Sequence, residues 1–232
     1  MHDLPSGTTT RRPSVARAWH AVTESISLVS LLVQFVLIVR GVNVLVDDTT
    51  GLPAAATATR VLRFFSYFTV QSNVIVIVTT GMLARDPERD GRWFRVARIA
   101  GLIGILVTFV VYLQALRPLL DLSGVAAVTD AGFHIVTPVL AVVGWVIFGP
   151  RPRFDRSTLL WSLVWPGVYF VYSLIHGAIT GWYPYPFVDV AKIGYPLAMR
   201  NLAVVIVLLL VLGAVYVWLD RRLHRTSPIR AT

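Results

Sequence analysis

The sequence predicts an all-α integral membrane protein, a bundle of six transmembrane helices with both termini in the cytoplasm. Three observations predict it. Of the 232 residues, 56% are hydrophobic and only 14% are charged, against about 25% charged in an ordinary soluble domain. The apolar residues gather into six segments long enough to cross a bilayer. The basic residues between those segments alternate from one side to the other. A mean hydropathy of +0.69 excludes a disordered or acidic solvated chain. The absence of Cys excludes disulfides, thiolate metal sites and thiol nucleophiles.

Residues 1–18 read as a polar, basic, disordered arm carrying Pro5, Gly7 and Pro13. This arm is not part of a cleavable signal, because the apolar run behind it is too long and lacks a small-residue cleavage site. The spans are expected at residues 19–39, 62–83, 96–116, 131–147, 159–180 and 197–219. Each holds about 17–23 residues, enough at about 1.5 Å rise per residue to cross about 30 Å of hydrocarbon. The Val and Ile run at 74–78 would suggest a strand in water. In lipid a segment must satisfy its own backbone, so it reads as helix. Residues 220–232 are a short basic tail, and 19–219 form one membrane domain.

Arginine placement supports the count. The arm (Arg11, Arg12, Arg17), the second connection (Arg85, Arg89, Arg92, Arg95, Arg98), the fourth (Arg151, Arg153, Arg156) and the tail (Arg221, Arg222, Arg225, Arg230) hold 15 of the 21 Lys and Arg residues. These segments fall on one side only if the spans number six, and that side is cytoplasmic. The expected location is therefore the cell (plasma or inner) membrane. A net charge of +9 on a soluble domain would suggest nucleic acid. Between apolar runs it speaks for topology, snorkelling and anionic lipid, and no nucleic-acid partner is expected.

Polar residues inside spans are costly and mark candidate sites. Span two opens Arg63-Phe-Phe-Ser66-Tyr-Phe-Thr69-Val-Gln-Ser72-Asn73, whose small polar residues share one face if the helix is continuous. Such a stripe also suits plain interhelical hydrogen bonding. Span four opens Asp130-Ala-Gly-Phe-His134-Ile-Val-Thr137-Pro138, and Pro138 frees the carbonyl of His134 and bends the helix there. Span five ends His176-Gly-Ala-Ile-Thr180, followed by an aromatic and Pro-rich stretch with Trp182, Tyr183 and Tyr185 that suits an interfacial belt. Helical rise puts Ser66, His134 and His176 about 5–6 Å below the outer surface. A hydroxyl and two imidazoles in one shallow layer suit a hydrolase of esters dissolved in the membrane. His20 and Glu24 read as a structural pair, and Gln34, Gln114 and Asn201 as helix contacts.

The span-two opening, Gly132-Phe-His134 with Pro138, and His176-Gly-Ala-Ile-Thr-Gly-Trp-Tyr-Pro-Tyr-Pro-Phe187 together resemble a bacterial family of six-span membrane proteins. That family is related to the animal androgen-induced and androgen-dependent transmembrane hydrolases. The resemblance implies a threonine-hydrolase chemistry on esters of fatty acids with hydroxy fatty acids. By its aromatic flanks the nucleophile position matches Ser66, and the histidine matches His134. Serine in place of threonine departs from the animal pattern, and Thr69, one turn deeper, is the competing nucleophile. In the expected mechanism the hydroxyl attacks the ester carbonyl and His134 takes its proton. Asp130 or Asp189 orients the histidine. Asn73, His176 and Trp182 are candidate oxyanion donors, with Tyr183 lining the substrate site. The partner is a lipid substrate from the bilayer, with neither metal nor cofactor. Two other readings stay open: a non-enzymatic transporter, receptor or assembly factor, and a metal-dependent hydrolase using His134 and His176.

Overall fold

The computed structural model describes residues 11–42 and 55–223. These residues are helical with no strand. Five stretches are long and apolar enough to cross a membrane: Pro13–Val39, Arg92–Leu119, Gly124–Phe148, Arg156–Thr180 and Val190–Leu223. Two shorter helices, Thr57–Phe65 and Phe68–Arg85, meet at a 65° bend and make a sixth if they count as one broken span. The helices are α1 (Arg11–Val39), α2 (Thr57–Phe65), α3 (Phe68–Arg85), α4 (Arg92–Val111), α5 (Gly124–Ala131), α6 (Thr137–Phe148), α7 (Arg156–Ser162), α8 (Val164–Thr180) and α9 (Val190–Leu223).

The bundle is built around α4, which is buried without interruption from Arg98 to Ile105. Helix α3 packs closely between α1 and α4. Gly104 permits the approach to α3, since a Cβ there would stand 2.9 Å from the Ser72 hydroxyl. Helix α8 is different. Its backbone stands off from α3, α4 and α9, and large rings bridge the gap. Trp165 stacks on Phe68 at 4.6 Å, and Tyr169 leans on the same ring at 5.0 Å.

Several expectations change. Residues 11–18 are the first turns of α1, not part of a disordered arm; the rest of the arm and the tail beyond Leu223 lie outside the described residues. Residues 220–223 continue α9. Arg98 does not snorkel. It lies well inside α4 at 3% exposure, in the field of His20 and Tyr216. Glu24 faces Arg85 of α3 at 3.9 Å.

The largest change is in span two. Tyr67 is extended (φ −78°, ψ 131°), so the helix stops after Phe65 and restarts at Phe68. No Gly or Pro causes the break. Breaking a helix in an apolar bundle strands backbone groups that must find partners. Here two tyrosines supply them. Tyr169 donates its hydroxyl to the Ser66 carbonyl at 3.1 Å, and the Thr69 N–H donates to the Tyr185 hydroxyl at 3.2 Å. Two π-helical turns, Tyr112–Leu116 and Gly132–Val136, interrupt the neighbouring spans. The second lies just before Pro138, where the widened turn accommodates the missing N–H. All three irregularities lie at the end of the bundle opposite the arginine-rich connections.

Candidate active site

A cavity of about 500 Å³ occupies that end and is lined by Thr69, Tyr112, Asp130, His134 and Tyr185, with Gln34, Phe64 and Tyr67 among the walls. The π-helical turns bring its polar groups together. Asp130 and His134 sit one turn apart, and His134 Nδ1 lies 2.9 Å from Asp130 Oδ1 and 3.1 Å from the Asp130 carbonyl. Tyr112 donates its hydroxyl to the other carboxylate oxygen at 2.6 Å, and its ring stacks on the His134 imidazole at 4.3 Å. Both carboxylate oxygens are thus engaged and the imidazole is held on two sides. With Nδ1 turned to Asp130, Nε2 is the nitrogen left for chemistry. Thr69 stands in the first turn of α3, where backbone N–H groups lack intrahelical acceptors. Its Oγ1 is 3.3 Å from the Tyr185 hydroxyl. Burial pushes the Tyr185 hydroxyl above the usual phenol range, so it keeps its proton and serves as a donor.

Ser66 lies elsewhere. It caps α2, and the bend turns it off the face that carries Thr69, Ser72 and Asn73. Its Oγ donates to the Leu62 carbonyl at 2.8 Å and meets the Tyr172 hydroxyl at 2.6 Å. Tyr172 is itself 36% exposed on the outer face of α8. His176 stands against Tyr172 and Trp182 and hydrogen-bonds Thr180, with Nδ1 to Oγ1 at 3.4 Å. Neither Ser66 nor His176 lines the cavity that holds His134. The expected layer of one hydroxyl and two imidazoles is therefore two regions. The ring of Tyr67 stands between them, edge-on to Trp182 at 5.7 Å and to Tyr185 at 5.4 Å.

The remaining expected site residues lie outside the lining of the His134 cavity. Asn73 is fully buried, accepts from Ser27 at 2.9 Å and donates to the Thr69 carbonyl at 2.9 Å. That ties it to the α1–α3 contact. Trp182 lies under the Arg63 guanidinium at 5.0 Å. Tyr183 fills the space over Gly177. Asp189 caps the start of α9 by accepting from the Ala191 and Lys192 N–H groups, and it also faces the Lys192 ammonium. The carboxylate behind His134 is Asp130. Among the described residues no three His, Asp or Glu side chains converge as a metal centre needs.

Sequence reasoning missed Tyr112 and Tyr169, and it read Tyr185 only as part of an interfacial belt. Each is a tyrosine in an apolar setting, where a buried hydroxyl needs a partner. That need was the available signal. Comparison with protein-family models, curated proteins and solved structures finds no match.

Proposed function

We propose that the protein is an intramembrane ester hydrolase in which Thr69 is the nucleophile, His134 the general base and Asp130 the residue that positions His134. The observation that carries this reading is that Thr69 and the Asp130–His134 pair line one cavity, while Ser66 does not. The resemblance to the transmembrane threonine hydrolases points to the same reaction class. It favoured Ser66 on flanking residues, whereas the cavity favours Thr69.

The steps follow from the groups present. Thr69 Oγ1 attacks the ester carbonyl carbon as its proton passes to His134 Nε2. Asp130 stabilises the resulting imidazolium, and Tyr112 holds Asp130 in place. The Tyr185 oxygen accepts from the Thr69 N–H, so its own proton is available to the developing oxyanion. Collapse of the tetrahedral intermediate expels the alkoxide, which takes the proton from His134, and leaves an acyl-threonine. Water, deprotonated by the same imidazole, then releases the acid and restores the Thr69 hydroxyl.

Arginine bias supports six spans with both termini cytoplasmic, which puts this cavity beneath the extracytoplasmic headgroups of the cell membrane, near both lipid and water. The chain has no Cys, so single Cys probes can be placed directly. Ser123→Cys is expected to react with an impermeant maleimide from outside intact cells, and Arg89→Cys only after lysis; the reverse pattern overturns the orientation. The function itself is tested on detergent-purified protein with a panel of lipid esters and a fluorophosphonate probe. Turnover with an adduct mass on Thr69 is expected. No turnover and no adduct would leave a non-enzymatic membrane protein.

A further inference from the structure

A second cavity, about 620 Å³ including its open mouth, lies between α4, α8 and α9. Its walls are almost wholly apolar, with Val107, Val111, Phe170, Leu174, Leu202 and Val205 prominent. It exists because α8 stands off from α4 and α9 on its aromatic side chains. Leu202 and Val205 are half-buried on α9, and the backbones of α8 and α9 stand apart there. At its other end the cavity is lined by Thr69, Leu116 and Tyr185, the three residues it shares with the His134 cavity.

Resting on the hydrolase reading above, we infer that this cleft is the acyl-chain site. One hydrocarbon chain enters from the bilayer between α8 and α9, and its carbonyl stops at Thr69. The alcohol portion then occupies the cavity beside Asp130 and His134. The two cavities differ in the way the two halves of such an ester differ. One is walled mainly by apolar side chains, with the small hydroxyls of Thr108 and Ser173 among them, which suits a chain that loses little by leaving lipid. The other sets a carboxylate, an imidazole and the phenols of Tyr67, Tyr112 and Tyr185 into an otherwise apolar lining, which suits the oxygen-bearing portion. The nucleophile and the Tyr185 hydroxyl sit where the cavities meet, which is where the carbonyl has to be. A chain bound this way has a length limit set by the residues far from Thr69, on α9.

The test uses the full-length protein in a non-ionic detergent and a diazirine-bearing palmitate, with adducts located by peptide mass spectrometry. Adducts on the cleft faces of α4, α8 and α9, competed by unlabelled palmitate, are expected. Val205→Trp and Leu202→Trp, which fill the cleft from its half-buried α9 wall, are expected to cut this labelling about tenfold or more. They are also expected to shift ester preference from palmitate toward acetate. Two variants and a melting curve for each guard against misfolding of one. Labelling confined to the lipid-facing helix surfaces, or unchanged in both Trp variants, overturns the acyl site. If wild type turns over esters through Thr69 while both Trp variants keep its labelling and chain preference, the acyl site alone fails. If the cleft is labelled and competed but no ester is hydrolysed, the hydrolase reading fails and the acyl site stands.

Discussion

Thr69 and Ser66 are three residues apart, both hydroxyls and both buried, yet they belong to different chemical environments. Thr69 opens on a cavity with a buried aspartate behind a histidine. Ser66 spends its hydroxyl on its own helix and on Tyr172, a side chain that looks outward. The two histidines divide the same way. His134 is held by a carboxylate and stacked on Tyr112, whereas His176 meets rings and the hydroxyl of Thr180. A nucleophile needs a base with a charge to stabilise it and a site that excludes bulk water. Among the described residues, the Thr69 side joins a hydroxyl to a cavity with a carboxylate-held histidine. The comparison shows that a polar residue inside a membrane span marks a site only once its hydrogen bonds have been counted. A hydroxyl bonded to the carbonyl four residues back is already satisfied.

The comparison can be broken most directly at the nucleophile and base. Thr69→Ala and His134→Ala are each expected to lower kcat for a lipid ester by about 10³-fold or more. Ser66→Ala and His176→Ala are expected to stay within a few-fold of wild type; the opposite ranking would move the active site to the Tyr172 side. Next in size, Tyr185→Phe removes the proton offered to the oxyanion and is expected to cost about 10²-fold in kcat with little change in KM. An equal loss from Trp182→Phe would instead assign that role to the indole.

Smaller effects sharpen the structural half. Ser66→Ala deletes two hydrogen bonds at the α2–α3 bend and is expected to lower stability by about 1–2 kcal/mol, read as a drop in melting temperature in detergent. Smallest of all is a control remote from both regions. The Arg95 guanidinium bonded to Asp90, together with Arg153 nearby, holds the Asp90 carboxyl down at about 2. Its folded value lies below its unfolded value of about 3.9, so its stabilisation is complete above about pH 4 and fades as pH falls toward 2. Melting curves of wild type and Asp90→Asn are expected to differ slightly at pH 5 and to converge near pH 2. A gap that persists at pH 2 would mean that charge is not its source.

The helical segments were legible from residue order because each apolar stretch is long enough to satisfy its own backbone and leave water by itself. The irregular turn ahead of Pro138 was legible for the same kind of reason, since the missing N–H acts on its own helix. The Asp130–His134 pair was half legible: one turn of helix brings the residues together, but Tyr112, which bonds one and stacks on the other, comes from a different span.

The identity of the hydroxyl facing His134 was decided only by the packed bundle. Residues 63–73 read as one helix face, and on one continuous helix Ser66 and Thr69 would both point the same way. The chain breaks at Tyr67 because partners more than 100 residues away, Tyr169 and Tyr185, satisfy the groups the break exposes. Local propensity carries no information about such partners. Burial along a segment sums residue by residue and is written in the order of the chain. A broken backbone in an apolar bundle is stable only where distant side chains converge, and that convergence exists only in three dimensions.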